Sequence, residues 1–407
     1  MGDSEQSDIQ TERSRSPLLY HNILDTKMEK IKVGVAGLGF IGPAHIEALR
    51  RIPGIEVVAI SESTLELARE KATQMGIPKY HDNFDNLLKE DIACVHICTP
   101  NFLHFEMAKA ALLAGKHVVC EKPLATSIEQ GEELLSLAKE KGLIHAVHFN
   151  IRYYPLVRQM KIMREKGELG EIYSVFGSYL QDWLFYATDY NWRLEPELSG
   201  KSKAVADIGS HLMDLLEYIS GLKITEVIAD FNTIHPIRKK PLKPLKTFTG
   251  KMLQPEDYTD VPISTEDYAT VMLRFDKGNL GVVRVSQVDA GRKNRLSLEI
   301  SGSKQTFAWN SESPNEMWIG KRDAPNQVLI RDPSLFYTES ASLISFPGGH
   351  NEGFPDTSKQ MFKEVYDQIR KGNMSGAKFP TFSDGLRELV LVERILESNE
   401  KECWIKV

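Results

Sequence analysis

Short apolar runs alternate with helical patterns from residue 31 to residue 150. The runs are "IKVGVAG", "IEVVAIS", "IACVHICT", "KHVVC" and "LIHAVHF". Between them, stretches such as "IGPAHIEALRRI" and "IEQGEELLSLAKEKG" place apolar residues at helical spacing. Continuous apolar strands that alternate with helices are typical of a parallel sheet covered on both faces. The pattern therefore predicts a doubly wound α/β domain over residues 30–150.

A different pattern begins after Asn150. A helical segment, "PLVRQMKIMREKG", precedes alternating segments such as "EIYSVFGSYLQDW", "DYATVMLRFDKGNLGVVRVSQV" and "RLSLEISGSKQTFAWNS". The pieces "DKGN" and "GSK" have the composition of hairpin turns, so these segments predict an open antiparallel sheet. Two late helices, "TSKQMFKEVYDQIRKG" and "SDGLRELVLVERILES", are predicted to cover one face of that sheet. We expect a second, α+β domain over residues 151–407, with a Pro- and Lys-rich excursion near residues 232–263.

The composition is that of an ordinary globular protein. The 407-residue chain is 42% hydrophobic and 26% charged, with a formal net charge of −6. A nucleic-acid partner usually leaves a strongly basic footprint, so none is expected. No run of about 18 apolar residues occurs, so no membrane span is predicted. Residues 1–29 are polar and lack the apolar core of a signal peptide, which predicts a flexible N-terminal arm.

The four cysteines indicate reduced thiols. Cys94, Cys98 and Cys120 lie in apolar, strand-like runs, and Cys403 lies near the end of the sequence. Cys94 and Cys98 have no second pair of Cys or His at metal-binding spacing. We therefore predict no bound metal, no disulfide and a cytoplasmic location.

The stretch "GVAGLGFIGPAHIEALR" has the glycine spacing of a dinucleotide-binding turn. Gly37, Gly39 and Gly42 follow a predicted strand and open a predicted helix, with Phe40 and Ile41 between them. In that context Gly37 permits the tight turn, Gly39 lets the backbone approach a pyrophosphate, and Gly42 allows close helix–strand packing. The free N–H groups of the helix N-terminus then favour the phosphates.

Glu62 stands 20 residues after Gly42, at the end of the next predicted strand. A carboxylate there accepts hydrogen bonds from the adenosine ribose and repels a 2′-phosphate, so the spacing favours NAD over NADP. The alternative is a surface glutamate that stabilises a helix start. Further on, "CTPNFLH" ends at the carboxyl edge of the sheet, where such folds bind ligands. Its residues Thr99, Pro100 and Asn101 are expected to line the cofactor crevice.

The stretch "HVVCEKPLAT" brings Glu121, Lys122 and Pro123 to the same edge of the predicted sheet. A lysine on the nicotinamide side can stabilise developing negative charge on a substrate oxygen. The alternative is an ordinary lysine at a strand end, paired with Glu121 at the surface.

A second candidate constellation is "AVADIGSHLMDLLEYISG". Asp207, His211 and Asp214 lie at positions i, i+4 and i+7, which share one face of a helix. A carboxylate beside an imidazole fixes its tautomer and raises its basicity, as in an acid–base pair. The alternative is a histidine with a structural role.

Taken together, "GLGFIG", "TPNFLH", "CEKP", "FNIRYYP" and "DIGSHLMD" resemble the glucose–fructose oxidoreductase/inositol dehydrogenase/rhizopine-catabolism (Gfo/Idh/MocA) family. The resemblance covers nearly the whole chain from residue 31. It implies a Rossmann domain followed by an α+β domain with a large, mainly antiparallel open sheet, through which homodimers or homotetramers form. It also implies NAD-dependent oxidation of a secondary hydroxyl of a sugar, anhydrosugar or cyclitol.

The resemblance implies a role for individual residues as well. Lys122 matches the lysine that contacts substrate and nicotinamide, His211 the general base, and Asp207 the acid that supports the base. Further pieces, "YLQDWL", "TDYNWR", "AGRKNRL" and "PGGHNEGFPDT", resemble a subgroup of levoglucosan-type and other pyranose dehydrogenases. Their aromatic and polar side chains suit a sugar. The expected cofactor contacts are Gly37, Gly39, Phe40, Ile41, Gly42, Glu62, Thr99, Pro100, Asn101, His104, Glu121, Lys122, Asn150 and Arg152. The expected substrate contacts are Lys122, Asp182, Trp183, Asn191, Arg193, Asp207, His211 and His350.

Two other functions are compatible with these residues. One is an NAD-dependent glycoside hydrolase of the same fold, which oxidises its substrate, eliminates the leaving group and reduces the product again. The other is a nucleotide-sensing protein without catalysis. Lys122, Asp207 and His211 argue against the second, because a sensor needs no general base.

Overall fold

The computed structural model of the chain describes residues 30–242 and 254–407. The predicted N-terminal arm, residues 1–29, lies outside the described residues, and so do residues 243–253 of the predicted excursion. Within the two described ranges, no helix combines the length and the apolar character needed to cross a membrane.

The first domain contains a six-stranded parallel sheet with the strand order β3-β2-β1-β4-β5-β6. Five strands were predicted, and the sixth, β3, is a short polar edge strand that carries no apolar signal. The order reverses between β1 and β4, which opens a crevice at the carboxyl edge of the sheet. The strands are β1 (Ile31–Ala36), β2 (Ile55–Ser61), β3 (Lys79–His81), β4 (Cys94–Ile97), β5 (His117–Cys120) and β6 (His145–Val147).

Helices cover both faces of this sheet, as the alternating pattern predicts. Their ends carry the expected signals, since Thr64 and Ser127 accept hydrogen bonds from backbone N–H groups at helix starts. Gly76 and Gly142 adopt left-handed conformations at helix ends. The helices are α1 (Ile41–Arg50), α2 (Leu65–Met75), α3 (Phe84–Leu88), α4 (His104–Leu113) and α5 (Ile128–Lys141).

The second domain is built on a nine-stranded sheet with the order β16-β15-β14-β13-β7-β12-β11-β8-β17. The predicted hairpins β11–β12 and β13–β14 are confirmed, and both are antiparallel. The sheet is mixed because the central strand β7 pairs in parallel with β12. Its strands are β7 (Ile172–Leu180), β8 (Ile224–Asn232), β11 (Tyr268–Phe275), β12 (Leu280–Ser286), β13 (Arg295–Gly302), β14 (Thr306–Asn310), β15 (Glu316–Gly320), β16 (Gln327–Ile330) and β17 (Ile405–Lys406).

A separate two-stranded hairpin occupies the described part of the predicted excursion. Its strands are β9 (Ile237–Pro241) and β10 (Tyr258–Pro262), which pair in an antiparallel register. The excursion therefore contains regular structure that its Pro- and Lys-rich composition did not indicate.

Helix α8 and a π-helical turn lie on the inner face of the large sheet. Gly177 of β7 lets this helix approach, since an added Cβ would lie 2.8 Å from Leu212 Cδ1. Leu212 and Leu216 are fully buried in the core between helix and sheet. The segments are α6 (Pro155–Glu165), α7 (Pro196–Ser199), the π-helical turn (Val205–Gly209), α8 (Ser210–Ser220), α9 (Thr338–Ala341), α10 (Phe354–Lys371) and α11 (Phe382–Lys401).

One prediction about the late helices is wrong. Helix α11 packs on β8 as expected, but α10 packs against α1 and the first sheet. Its side chains Phe362 and Tyr366 are fully buried in one core with Val33 and Val119 of that sheet. The apolar face of α10 thus completes the core of the nucleotide-binding domain. The domain boundary at residue 150 stays a prediction.

Candidate active site

The glycine turn between β1 and α1 has the geometry that a dinucleotide requires. Gly37 has a φ of 82°, and an added Cβ would lie 2.8 Å from the carbonyl oxygen of Cys98. A Cβ on Gly42 would lie 2.1 Å from the carbonyl oxygen of Gly37, so the helix and the turn touch there. A Cβ on Gly39 would meet nothing within 4 Å, which leaves open space beside its backbone. The turn therefore fits a pyrophosphate at the start of α1.

The residues around this turn are also placed as dinucleotide binding requires. Phe40 is exposed at the end of the turn, and Ile41 begins α1. Glu62 follows β2, and its carboxylate accepts hydrogen bonds from the backbone N–H of Leu38 and of Ser63. Glu62 is thereby held against the glycine turn, and the ribose contact stays a prediction.

The loop after β4 is tied to its neighbours. The ring nitrogens of His104 lie 2.6 Å from the carbonyl oxygen of Pro123 and 2.9 Å from that of Thr99. Asn101 Nδ2 donates to the carbonyl oxygen of Ser199, 3.0 Å away, in the second domain. The side chains of His104 and Asn101 thus hold the walls of the crevice together, while Thr99 and its neighbour Pro100 lie at the strand end as predicted.

Lys122 and Asp207 meet across the two domains. Lys122 Nζ donates to Asp207 Oδ1 at 2.7 Å and to the Asp207 carbonyl oxygen at 2.8 Å. Lys122 follows β5, and its peptide bond to Pro123 is cis. Asp207 lies on the π-helical turn before α8, and both its backbone carbonyl and its carboxylate meet the same ammonium group. The structure therefore excludes the alternative of a surface lysine paired only with Glu121.

Asp207 is a charged acceptor in this arrangement. Gln287 Nε2 donates to Asp207 Oδ2 at 2.9 Å, and Arg193 Nε lies 3.6 Å from Oδ1. Burial alone would raise the pKa of Asp207, but the charges of Lys122 and Arg193 outweigh it and lower the pKa to about 2. The carboxylate is therefore ionised throughout the neutral range and can hold the Lys122 ammonium in place.

His211 is a neutral, nearly buried imidazole at the start of α8. Burial, followed by the charge of Lys122, lowers its pKa to about 3. The ring lies edge-on to Phe149 with 5.5 Å between ring centroids, and its Nδ1 atom is buried without a hydrogen-bond partner among the described residues. Because Nδ1 is enclosed, Nε2 is the ring nitrogen left to meet a ligand. Asp207 was expected to support this ring, but its carboxylate instead accepts hydrogen bonds from Lys122 and Gln287.

The predicted sugar contacts fall into two groups. The Arg193 guanidinium lies 4.5 Å from the Trp192 ring centroid and 6.0 Å from that of Trp183, so this cluster borders Asp207. Asp182 instead accepts from Lys293 Nζ at 2.7 Å. The other two predicted contacts, Asn191 and His350, have local partners: Asn191 Oδ1 accepts from the Arg193 N–H, and His350 Nδ1 lies 3.4 Å from the Gly348 carbonyl oxygen.

Asn150 and Arg152 have partners outside the Lys122–Asp207 pair. Asn150 Nδ2 donates to Thr357 Oγ1 at 2.7 Å. Arg152 forms ion pairs with Asp214 and Asp384. The Asp214 carboxylate is therefore occupied by Arg152 and does not take part in the expected pairing with His211. The cofactor contacts of Asn150 and Arg152 stay predictions that rest on the resemblance alone.

Glu121 anchors a buried network of histidines that the sequence analysis missed. Its Oε1 atom lies 3.0 Å from His45 Nε2 and 2.5 Å from His148 Nδ1. Burial lowers the pKa of His45 to about 4, so its ring is neutral. With Nε2 donating to the carboxylate, His45 Nδ1 must accept, from His96 Nδ1 at 2.9 Å. His96 Nε2 then accepts from the Tyr366 hydroxyl at 2.8 Å. These donors and acceptors form one consistent set of tautomers along the chain of hydrogen bonds.

His45, Glu121 and His148 also have the composition of a metal site. In the part of the chain that the structure describes, theirs is the one group with ligand atoms suitably placed, all within 4.8 Å of one another. The same atoms are engaged in the hydrogen bonds described above, so a metal ion would have to displace both imidazole protons. The histidines inside the apolar runs "CVHICT" and "HAVHF" were the signal in the sequence. The predicted absence of a metal stays a prediction.

Comparisons with known proteins agree with this geometry. Residues 31–149 match the model of the Gfo/Idh/MocA oxidoreductase family with its NAD-binding Rossmann fold, and residues 157–308 match a Gfo/Idh/MocA C-terminal domain. The chain belongs to the Gfo/Idh/MocA family. The predicted family, fold class and cofactor, NAD, are confirmed, as is the prediction of an NAD-dependent dehydrogenase.

Individual family members are similar over almost their whole length. Levoglucosan dehydrogenase of Pseudarthrobacter phenanthrenivorans is 31% identical, with 93% of this chain and 99% of the relative covered. Glucose-6-phosphate 3-dehydrogenase of Bacillus subtilis is 26% identical over 90% of this chain and 96% of the relative. A solved structure of levoglucosan dehydrogenase with NADH and levoglucosan has a TM-score of 0.83 and 30% identity, over 93% of this chain and 99% of that chain.

Proposed function

We propose that this family member oxidises a secondary hydroxyl of a sugar, anhydrosugar or cyclitol with NAD. The observation that carries the proposal is the Lys122–Asp207 ion pair beside the neutral imidazole of His211. An alcohol oxidation needs a cation near the oxygen and a base for the hydroxyl proton, and these side chains supply both. The names of the relatives support a carbohydrate substrate, because levoglucosan and glucose 6-phosphate are both pyranoses.

Each residue then has one task in the reaction. NAD⁺, when bound, accepts the hydride at nicotinamide C4. His211 Nε2 takes the hydroxyl proton, while Lys122 Nζ stabilises the negative charge on the oxygen as the carbonyl forms. Asp207 holds Lys122 in position and, together with Arg193 and Trp183, borders the space proposed for the sugar. Trp183 offers an apolar face to ring carbons, whereas the charged groups suit the hydroxyl rim.

A substrate panel tests the proposal. The protein is mixed with NAD⁺ and levoglucosan, glucose, glucose 6-phosphate or myo-inositol, and the absorbance of the reduced nicotinamide is followed. We expect turnover with at least one pyranose or cyclitol, and Lys122→Ala and His211→Ala should each lower the rate by about 10²- to 10⁴-fold while NADH binding, followed by fluorescence, persists. No turnover on the whole panel, together with sugar release from a chromogenic glycoside without net NADH, would instead indicate the glycoside hydrolase.

We also propose a homodimer or homotetramer formed through the outer face of the large sheet. The strand registers align one side chain from each of eight strands in a single row across this face. Seven of the eight are apolar, and Phe176, Met272, Trp318 and Val328 are exposed. The row is Ile228, Met272, Val282, Phe176, Glu299, Ala308, Trp318 and Val328.

An exposed apolar row of this length is typical of a surface that a second copy covers. Light scattering after size-exclusion chromatography measures the mass in solution. Phe176→Glu is expected to give monomers, whereas Leu113→Glu, at an equally exposed apolar residue on α4, should leave the mass unchanged. A monomeric wild-type protein would overturn this proposal.

The cytoplasmic location is likewise a proposal. It is supported by Cys94, Cys98 and Cys120, which are buried and free among the described residues. Free thiols are typical of reducing compartments.

A further inference from the structure

The hairpin β9–β10 lies against the loop that joins β7 to α7. This loop, residues 181–195, carries Trp183 and Arg193 and is called the 181–195 loop below. The backbone N–H of Lys239 donates to the Ala187 carbonyl oxygen at 2.9 Å, so the hairpin and the loop share main-chain pairing. Further contacts come from His235 Nε2, 2.8 Å from the Phe185 carbonyl oxygen, and from Lys240 Nζ, 2.8 Å from Glu195 Oε1.

Arg238 of β9 makes the densest set of these contacts. Its Nη1 atom donates to the carbonyl oxygens of Leu184 at 3.0 Å, Tyr186 at 2.9 Å and Asp189 at 3.2 Å. The side chain is fully buried. One guanidinium therefore fixes three carbonyl groups within six residues of chain, and a planar fork of donors is suited to such a task.

The same guanidinium is tied to the catalytic helix through Asp267. Arg238 Nη2 donates to Asp267 Oδ1 at 2.7 Å, and Lys203 Nζ donates to the same oxygen. Both cations and the carboxylate are fully buried. Lys203 comes shortly before the π-helical turn of Asp207, and its backbone N–H donates to Glu266 Oε1 at 2.9 Å. Asp267 thus joins the 181–195 loop to the segment that positions Asp207.

We propose that Arg238 is a positioning residue for the sugar site, which it keeps in shape by fixing the 181–195 loop against the Asp207 segment. The inference rests on the proposed function, because it assigns Trp183 and Arg193 to the sugar. Arg238 touches neither the glycine turn nor Lys122, so the NAD site is independent of it. The Pro- and Lys-rich excursion, to which the sequence analysis gave no role, is on this view the support of the substrate site.

Arg238→Met tests the proposal, and the matched control is Lys239→Met. Lys239 is the neighbouring residue on β9 and is exposed, and among the described residues its side chain pairs only with Asp260 of β10. In Arg238→Met, Asp267 keeps Lys203, so the buried carboxylate stays compensated and the fold is expected to survive. The expected result is a tenfold or greater rise in KM for the sugar, with KM for NAD⁺ within twofold of wild type. Lys239→Met should change neither constant.

Two further measurements keep the test decisive. His235→Ala removes one exposed contact with the loop and should raise the sugar KM by a smaller factor, even if Arg238→Met does not fold. Chymotrypsin cleavage after the exposed Phe185 and Tyr186, mapped by mass spectrometry, reports the loop without any activity. Cleavage should be at least fivefold faster in Arg238→Met than in Lys239→Met. The cleavage rate also separates failure of the Arg238 proposal from failure of the proposed function, because it can be measured even if the wild-type protein oxidises no sugar.

The proposal is overturned if Arg238→Met and His235→Ala both leave the sugar KM unchanged. It is equally overturned if KM for NAD⁺ rises in parallel with the sugar KM, since that result would indicate a general structural role. Unchanged cleavage of the 181–195 loop in Arg238→Met would also count against it.

Discussion

Replacing Asp207 by asparagine tests through which residue this carboxylate acts. The structure pairs it with Lys122, whereas the family resemblance assigns it to His211. Its pKa of about 2, compared with the usual 3.8, corresponds to about 2 kcal/mol in favour of the charged form. Since burial opposes ionisation and Lys122 is the largest charge that overcomes it, most of this energy is shared with Lys122. Asp207→Asn is therefore expected to lower kcat by about 10- to 60-fold, at roughly 1.4 kcal/mol per tenfold.

A double-mutant cycle separates the two possible partners. If Asp207 works by holding the Lys122 ammonium, Asp207→Asn should cost less than about threefold once Lys122→Met has removed that ammonium. In a His211→Gln background, Asp207→Asn should still lower kcat by the full factor. The assay is NADH formation at saturating NAD⁺ for the single and double variants, with thermal unfolding of each variant as the control for folding.

The opposite pattern would refute the reasoning. If the cost of Asp207→Asn disappears in the His211→Gln background and persists in Lys122→Met, the carboxylate serves the imidazole. The contacts of Asp207 with Lys122 and Gln287 would then describe only the resting arrangement of the site.

Three further predictions concern the cofactor and the stability of the fold. Glu62→Ala should raise KM for NAD⁺ about tenfold and increase the relative rate with NADP⁺, because the carboxylate accepts ribose hydrogen bonds and repels a 2′-phosphate; equal cofactor preference before and after would contradict the role. Gly42→Ala should abolish NADH binding in a fluorescence titration, since its Cβ would lie 2.1 Å from the Gly37 carbonyl oxygen. The pKa values of His45 and His211 are about 4 and about 3 in the folded chain, compared with 6.5 ordinarily, so between pH 6.5 and pH 5 only the unfolded chain takes up protons there. Urea unfolding at pH 6.5 and pH 5 should therefore show a loss of about 2 kcal/mol per histidine on acidification, and His211→Gln should remove its share.

The first domain was predictable because its signals are local. Gly37, Gly39 and Gly42 lie within one turn, and each apolar strand follows a helix at close spacing. In such a fold the chain order almost determines which strand ends meet, so Lys122 could be assigned to the crevice from sequence. The short strand β3 was missed because an exposed three-residue edge strand carries no hydrophobic pattern.

The rest depends on contacts between distant parts of the chain. Gln287, which reaches Asp207, follows β12, and β12 pairs in parallel with β7, a pairing that no hairpin signal in the sequence indicates. In the sequence, Arg238 is one basic residue in a Lys-rich stretch. Only the structure shows that it is buried and has three carbonyl partners. Asp207 and Asp214 were expected to share one helix face with His211, but Asp207 lies on a π-helical turn and pairs with Lys122, whereas Asp214 pairs with Arg152.

The position of α10 has a consequence for the order in which the protein can fold during synthesis. Phe362 and Tyr366 come more than 200 residues after the last strand of the first sheet in the chain, yet they pack into its core. When only residues 1–150 have left the ribosome, part of one apolar face of the sheet, beside α1, is therefore uncovered. We expect the nascent nucleotide-binding domain to stay incompletely packed until nearly the whole chain has emerged. The domain that is synthesised first would then complete its core late in synthesis.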